Sequence, residues 1–169
     1  MTTAADGRSA AAQRAAPPAK LDERASVAFL DIDNTLHASD AYFLDGRVTA
    51  GSSASVLFEF APVPERLLTP YPSLVIILSS SWVEVLGYEF TVAQLPSNSL
   101  QARVRSATFE REDAADDGWP ALPLDDEACG APAGFEKHFL HTNTGIALGA
   151  RETPERLKEW LGANGNARR

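Results

Sequence analysis

The chain has 169 residues, of which 44% are apolar and 22% are charged, and its formal net charge is -8. This composition is close to the average of soluble globular proteins and excludes a wholly disordered chain, while the length suits one domain rather than two. The acidic balance makes nucleic acid an unlikely partner, because proteins that bind duplexes present a basic surface to the phosphates.

The start of the chain differs in composition from its body. Residues 1–24 are rich in Ala and Pro with scattered charge, so we predict a flexible tail there, a domain over 25–163 and a disordered end over 164–169. The start lacks the apolar core of a secretory signal, and an organelle transit peptide remains the alternative. The single cysteine, Cys129, and the absence of an apolar run of roughly 18 residues favour a cytoplasmic protein without a membrane span.

Apolar runs of strand length alternate with helical segments from residue 25 onward, which predicts an α/β domain with a largely parallel sheet. The predicted strands lie, in chain order, in SVAFLDID, SLVIILSSS, ARVRSATF, ALPLDD and KHFLHTNTGIAL. The second run is rich in β-branched residues and free of charge, as is typical of a strand buried on both faces. Residues 110–127 carry eight acids against one base, so most of that stretch is predicted to be loop.

Three helices are predicted between these strands and at the end of the domain. The first starts near Pro64, the second lies in VEVLGYEFTVAQL and the third lies in TPERLKEWL. Gly87 weakens the pattern of the second helix. In the third helix Thr153 suits the N-cap, Pro154 suits the first helical position, and Gly162 is a candidate for the end.

Polar side chains follow three of the predicted strands at the point where each strand ends. They are Asp31 and Asp33 after the first strand, Ser79 and Ser80 after the second, and Asp125 and Asp126 at the end of ALPLDD. Because the carboxyl ends of parallel strands share one edge of a sheet, and ligands bind outside that edge, these three positions together predict a phosphate site.

The chemistry of this predicted site starts with Asp31. A carboxylate at a strand end can attack phosphorus and form an acyl phosphate, which divides one difficult displacement into two easier ones. Attack of an anion on an anion requires neutralisation, and oxygen ligands from Asp31, Asp125 and Asp126 are the kind that hold Mg²⁺.

Asp33 lies on the same side of an extended strand as Asp31, so it is the candidate acid/base for the leaving group and the attacking water. Ser79, or Ser80 if the strand ends one residue later, can donate a hydrogen bond to a phosphoryl oxygen. A cation is expected to stabilise the charge of the transferring group. Arg111 is the nearest candidate for this cation, with Arg105 behind it.

The segments FLDIDNTL, VIILSS and LPLDD resemble three of the four motifs of the haloacid dehalogenase-like (HAD) superfamily. LFEFAPVPERLLTPYPSLVIILSSSW and LQARVRSATF are also similar to a narrower bacterial group related to the HAD domain of Swiss Army Knife RNA repair proteins. The resemblance implies a Rossmann-like three-layer α/β/α sandwich with a mostly parallel sheet. The short intervals between the motifs leave no room for a large cap domain.

The same resemblance implies a role for each motif residue. Asp31 becomes the nucleophile, Asp33 the acid/base and a backbone ligand of Mg²⁺, and Ser79 the phosphate binder, while Asp125 and Asp126 become metal-binding acids. The implied activity is that of a Mg²⁺-dependent phosphohydrolase. An open site suits a phosphorylated small molecule, a polymer end or a phosphoprotein.

Two other functions remain as alternatives. A HAD-like domain could bind a ligand or partner without catalysis if no basic residue reaches the site. A phosphoacceptor receiver domain ranks last, because its acids normally adjoin on the first strand, whereas this chain opens with D-x-D and closes with D-D. We expect structural roles for six other residues, namely His37, His138, His141, Trp82, Trp160 and Cys129.

Overall fold

The computed structural model of the chain describes residues 26–108, 121–126, 140–142 and 146–164. The predicted flexible tail lies outside these residues, as does the predicted disordered end apart from its first residue. Within the described residues no helix is long and apolar enough to cross a membrane.

The described residues form seven strands and five helices. The strands are β1 (Val27–Leu30), β2 (Ala41–Leu44), β3 (Arg47–Ala50), β4 (Val75–Leu78), β5 (Val104–Ala107), β6 (Ala121–Asp125) and β7 (Leu140–His141). The helices are α1 (Pro62–Leu68), α2 (Ser81–Leu86), α3 (Tyr88–Gln94), α4 (Asn98–Gln101) and α5 (Glu152–Asn164).

Five strands form one sheet in the order β5-β4-β1-β6-β7, and every neighbouring pair is parallel. The first strand of the chain therefore occupies the centre, with β4 and β6 on either side. This arrangement confirms the predicted Rossmann-like α/β/α fold. It also brings the ends of β1, β4 and β6 next to one another, which is where the sequence places its acids and serines.

The alternation of side chains along the central strands explains why these segments are strands. Leu30 and Leu78 are buried in the main hydrophobic core, whereas Val27 and Ile77 belong to a second, smaller cluster. Successive residues of a strand point to opposite faces of the sheet, so β1 and β4 are covered on both faces. The apolar, β-branched composition of β4 is the expected consequence.

The helix predicted over VEVLGYEFTVAQL is wrong as one element, because it divides at Gly87. This residue adopts φ 88° and ψ 154°, a backbone conformation that an L side chain rarely adopts. Its N–H donates to the carbonyl of Val83 and so ends α2, and α3 begins at the next residue. The short helix α4 follows and had not been predicted.

The first and last helices differ from expectation only at their ends. Helix α1 begins at Pro62 rather than near Pro64. Helix α5 already begins at Glu152, so Thr153 is not its N-cap, and Gly162 lies inside the helix instead of ending it. The last carbonyl of the helix, that of Asn164, accepts a hydrogen bond of 2.7 Å from the hydroxyl of Ser26, which satisfies one of the carbonyls left open at a helix end.

A two-stranded antiparallel hairpin of β2 and β3 is inserted between β1 and α1. Its two-residue turn consists of Asp45 and Gly46, at φ 50° and 77°, which is the geometry that an Asp-Gly pair favours in tight hairpins. The described residues contain no large cap domain, as predicted. This hairpin is the element inserted between the first motif and the rest of the sheet.

Candidate active site

The three central strands deliver their polar residues to one edge of the sheet. The backbone N–H of Asp31, just after β1, donates to the carbonyl of Leu124 in β6 at 3.0 Å, and the N–H of Ser79 donates to Leu30 at 3.0 Å. Asp125 is the last residue of β6. The parallel register thus fixes the backbones of the predicted site residues relative to one another.

Three carboxylates meet at this edge. Oxygen atoms of Asp31, Asp125 and Asp126 all lie within 4.8 Å of one another, and Asp31 is buried while the other two are half-buried. Carboxylate oxygens are the hard ligands that Mg²⁺ prefers. The donor chemistry and spacing of the three residues therefore fit a divalent cation.

The surroundings of Asp31 oppose its negative charge. Burial, followed by the nearby Asp125 and more weakly Asp33, raises the pKa of Asp31 from 3.8 to about 8. Hydrogen bonds from the backbone of Ile32 and the side chain of Ser80 act in the opposite direction but do not compensate. A cation placed among these carboxylates would favour the ionised form of Asp31.

The two serines after β4 have different surroundings. Ser80 is buried and is the N-cap of α2, where its hydroxyl accepts from the N–H of Trp82 at 3.4 Å, and it also hydrogen-bonds Asp31. The hydroxyl of Ser79 is buried and has no hydrogen-bond partner among the described residues. Ser80 therefore helps to orient Asp31, while Ser79 retains a hydroxyl that can donate to a ligand.

Three nitrogen atoms lie within hydrogen-bond distance of the carboxylate oxygens of Asp33. The indole Nε1 of Trp82 donates to Oδ2 at 3.0 Å, while the backbone N–H of Ala41 and Nε2 of His37 lie 3.1 Å from Oδ1. The side chain remains 20% exposed, so it is fixed in orientation and still accessible from solvent. A group held in this way can exchange a proton with a substrate or a water.

A model of the family described as the HAD domain in Swiss Army Knife RNA repair proteins matches residues 27–121. The chain belongs to this HAD family. Comparisons with curated proteins and with solved structures gave no significant match. The matched segment of the HAD domain includes Asp31, Asp33 and both serines, and it ends before Asp125 and Asp126. Membership of the HAD superfamily, as predicted from the sequence motifs, is confirmed.

Membership of the HAD family indicates a phosphohydrolase-type or HAD-like function, and a divalent metal is typical of the family. The acidic cluster of Asp31, Asp125 and Asp126 agrees with both features. The structure thus brings the three predicted metal-binding acids together at the carboxyl edge of the parallel sheet.

Sequence reasoning missed two residues of this HAD site, because His37 and Trp82 were assigned only structural roles. They are structural in part, since both are buried and their rings pack with Phe58 at centroid distances of 5.6 and 5.8 Å. Each also contacts the carboxylate of Asp33.

The turn after Asp33 is shaped by the two residues that follow it. Asn34 adopts φ 53°, which Asn tolerates better than most residues, and its amide donates to Asp40 at 3.0 Å. The buried hydroxyl of Thr35 lies 3.0 Å from that of Thr142, just after β7. The turn after β1 is therefore hydrogen-bonded to the residue before the hairpin, Asp40, and to Thr142 beside the edge strand β7.

The prediction of Arg111 or Arg105 as the basic group of the site gains no support from the described residues. Arg111 lies outside the described residues. The guanidinium of Arg105 is bound to backbone carbonyls, those of Ala102 at 2.6 Å and Val104 at 3.4 Å. Arg103 likewise donates to carbonyls around the end of α1, and its burial lowers the pKa of the guanidinium.

Proposed function

We propose that this HAD domain is a Mg²⁺-dependent phosphomonoesterase that acts through an aspartyl-phosphate intermediate. The observation that carries the proposal is the cluster of Asp31, Asp125 and Asp126 within 4.8 Å at the carboxyl edge of the sheet. The carboxyl group of Asp33, which is kept in position by hydrogen bonds, supplies the acid/base that the reaction needs.

The first step transfers the phosphoryl group to the protein. A carboxylate oxygen of Asp31 forms a bond to phosphorus while the bond from phosphorus to the ester oxygen breaks. Asp33, in its protonated form, gives its proton to the departing oxygen, so the leaving group departs as a neutral alcohol. Asp31 then carries an acyl phosphate, and Asp33 is a carboxylate.

The second step returns the site to its initial state. Asp33 accepts a proton from water as the water oxygen attacks phosphorus, and the bond between phosphorus and Asp31 breaks. Inorganic phosphate leaves, Asp31 is again a carboxylate and Asp33 is again protonated. The hydrogen bonds from Trp82, His37 and Ala41 keep the Asp33 side chain in place through this exchange.

The residues that would hold Mg²⁺ are Asp31, Asp125 and Asp126, together with the backbone of Asp33. The bound ion supplies charge neutralisation where a carboxylate and a phosphoryl group meet. Ser79, whose hydroxyl has no partner among the described residues, is the proposed donor to a phosphoryl oxygen. Ser80 supports Asp31, and Arg111 remains the proposed basic contact.

The proposed substrate is a phosphomonoester, either a small molecule or the phosphorylated end of a polymer, because no large cap covers the site in the described residues. The family description names RNA repair proteins. The net charge of -8 nevertheless disfavours extended contacts with nucleic acid phosphates. A single cysteine suits the reducing cytoplasm as the place of action.

The proposal is tested by phosphatase assays of the purified protein with p-nitrophenyl phosphate, with and without Mg²⁺. We expect Mg²⁺-dependent turnover that Asp31→Asn abolishes. Asp45→Asn is the matched control, since it makes the same chemical change in an exposed hairpin turn where Asn-Gly is equally suitable. Absence of Mg²⁺-dependent turnover, or equal activity of Asp31→Asn and Asp45→Asn, contradicts the proposal.

A second candidate function is a HAD-like domain that binds a ligand or partner without turnover. It is favoured by the engagement of the Arg105 guanidinium, one of the two predicted basic contacts, with the backbone carbonyls of Ala102 and Val104. Loss of one electrostatic contact to the transition state typically reduces the rate by about 10² to 10³. Robust turnover in the same assay rejects this second function.

A further inference from the structure

A pocket opens beside Asp33, on the side of the residue that faces the hairpin. The hairpin contributes one wall through Tyr42, Phe43 and Val48. Phe43 meets Phe90 of α3 edge to face, with ring centroids 5.7 Å apart, so this wall is supported from behind by a helix of the main domain.

The opposite wall comes from helix α2 and consists of Trp82, Val85 and Leu86. Trp82 is fixed because its indole N–H donates to Asp33. Val85, by contrast, is 74% exposed at the pocket. The same residue, Trp82, therefore both holds the proposed acid/base and forms the apolar surface next to it.

The pocket carries almost no charge. Asp33 is the one ionisable acid among the residues that line it, and no Lys, Arg or His lines it in the part of the chain that the structure describes. Tyr42 and Phe43 are 56% and 47% exposed, so an apolar group that covers them is removed from water favourably. A second anionic group would meet no cation here and would lie beside Asp33.

We propose that this pocket receives the leaving group of the phosphomonoester and selects an uncharged aromatic one. The proposal rests on the proposed function, in which Asp33 protonates the departing oxygen. The group attached to that oxygen must then lie next to Asp33, and the space next to Asp33 is lined by aromatic and aliphatic side chains. Aromatic rings in the walls offer edge and face contacts that favour another ring.

The test compares three substrates whose leaving groups are primary alcohols, so that intrinsic reactivity is similar. They are 2-phenylethyl phosphate, ethyl phosphate and 2-carboxyethyl phosphate. We expect kcat/KM to be highest for the phenylethyl ester, by at least about tenfold over the ethyl ester, and lowest for the carboxyethyl ester. Equal values for the phenylethyl and ethyl esters, or a preference for the carboxyethyl ester, overturn the proposal.

Val85→Lys provides a second test, because Val85 is exposed and its replacement leaves the hydrophobic core intact. We expect this substitution to lower the ratio of kcat/KM for the phenylethyl ester to kcat/KM for the ethyl ester by about tenfold. It should also raise the ratio of kcat/KM for the carboxyethyl ester to kcat/KM for the ethyl ester. Val56→Lys is the matched control, since Val56 is similarly exposed at 65% and does not line the pocket. It should leave both ratios unchanged.

The outcomes separate this proposal from the one on which it rests. Turnover of all three esters without discrimination, or an unchanged ratio in Val85→Lys, overturns the leaving-group assignment and leaves the phosphatase function standing. Absence of turnover with every ester overturns the phosphatase function and the leaving-group assignment together.

Discussion

Asp31 and Asp33 are two residues apart, yet their surroundings are opposite in kind. Asp31 is buried among other acids, and its pKa is raised to about 8. Asp33 is partly exposed and is held by N–H groups from Trp82, His37 and Ala41. The carboxyl group of Asp31 needs a nearby cation to ionise at neutral pH, whereas the side chain of Asp33 is fixed in orientation by its hydrogen bonds. These environments agree with the proposed roles, in which Asp31 acts together with a bound cation and Asp33 keeps a fixed orientation.

The largest expected effect distinguishes the carboxylate of Asp33 from the metal-binding carboxylate of Asp126. Asp33→Asn should reduce kcat by about 10² to 10⁴, which is the usual contribution of general acid–base catalysis, while Mg²⁺ affinity is retained because the backbone of the residue is unchanged. Asp126→Asn should instead weaken Mg²⁺ binding. Steady-state kinetics and calorimetric Mg²⁺ titration of both variants check this, and an equal loss of Mg²⁺ affinity in Asp33→Asn contradicts it.

Mg²⁺ binding should release a proton from Asp31. Below pH 8 the carboxyl group of Asp31 is protonated in the metal-free protein, and a bound cation requires the ionised form. Apparent Mg²⁺ affinity is therefore expected to rise by up to about tenfold per pH unit between pH 6 and 8. Titration calorimetry in buffers of different protonation enthalpy measures the proton. Asp31→Asn should bind Mg²⁺ weakly and without proton release, and wild-type binding with no proton release contradicts the prediction.

The metal-free protein should lose stability as the pH rises. The pKa of Asp31 is about 8 in the folded chain against 3.8 for an ordinary Asp side chain, so between these values the folded state holds a proton that the unfolded state has lost. The stabilisation is complete below about pH 3.8 and is lost as the pH rises towards 8, with a slope of at most about 1.4 kcal/mol per pH unit. Urea unfolding in EDTA measures the slope. Asp31→Asn should remove this component, and parallel profiles of the two proteins would count against the assignment.

The smallest expected effect concerns the support of Asp33. Trp82→Phe removes one hydrogen bond to Oδ2 but keeps an aromatic ring beside Phe58. We expect kcat to fall by about tenfold with Mg²⁺ affinity unchanged. Trp160→Phe, in α5, is the control for replacing a partly buried indole. A fall in kcat of the same size in both variants would show that the loss is structural rather than due to the contact with Asp33.

The sequence was sufficient for the sheet and for the acids at its edge, because apolar strand runs and polar strand ends are local signals. It was possible to predict the proximity of Asp31, Asp125 and Asp126, since parallel strands end at one edge. The contacts of Trp82 and His37 with Asp33 could not be predicted in the same way. They depend on how α2 and the turn after β1 pack, which is a matter of tertiary structure.

The hairpin is a different case, because its signal was present and was overlooked. Asp45 and Gly46 separate two strand-length runs by two residues, which is the strongest short-range indication of a hairpin. No strand was predicted in this part of the chain, so the pocket beside Asp33 could not be anticipated. Arg111 stays a prediction from sequence alone, since it lies outside the described residues.

The hydrogen bond between Ser26 and Asn164 has an architectural consequence. Ser26 precedes the central strand, five residues before Asp31, so the point where the first strand and the last helix meet lies roughly 16 Å from the acids at about 3.3 Å per residue. The beginning of the central strand and the end of the last helix are thus fastened to each other by one hydrogen bond at the edge of the sheet opposite the acids.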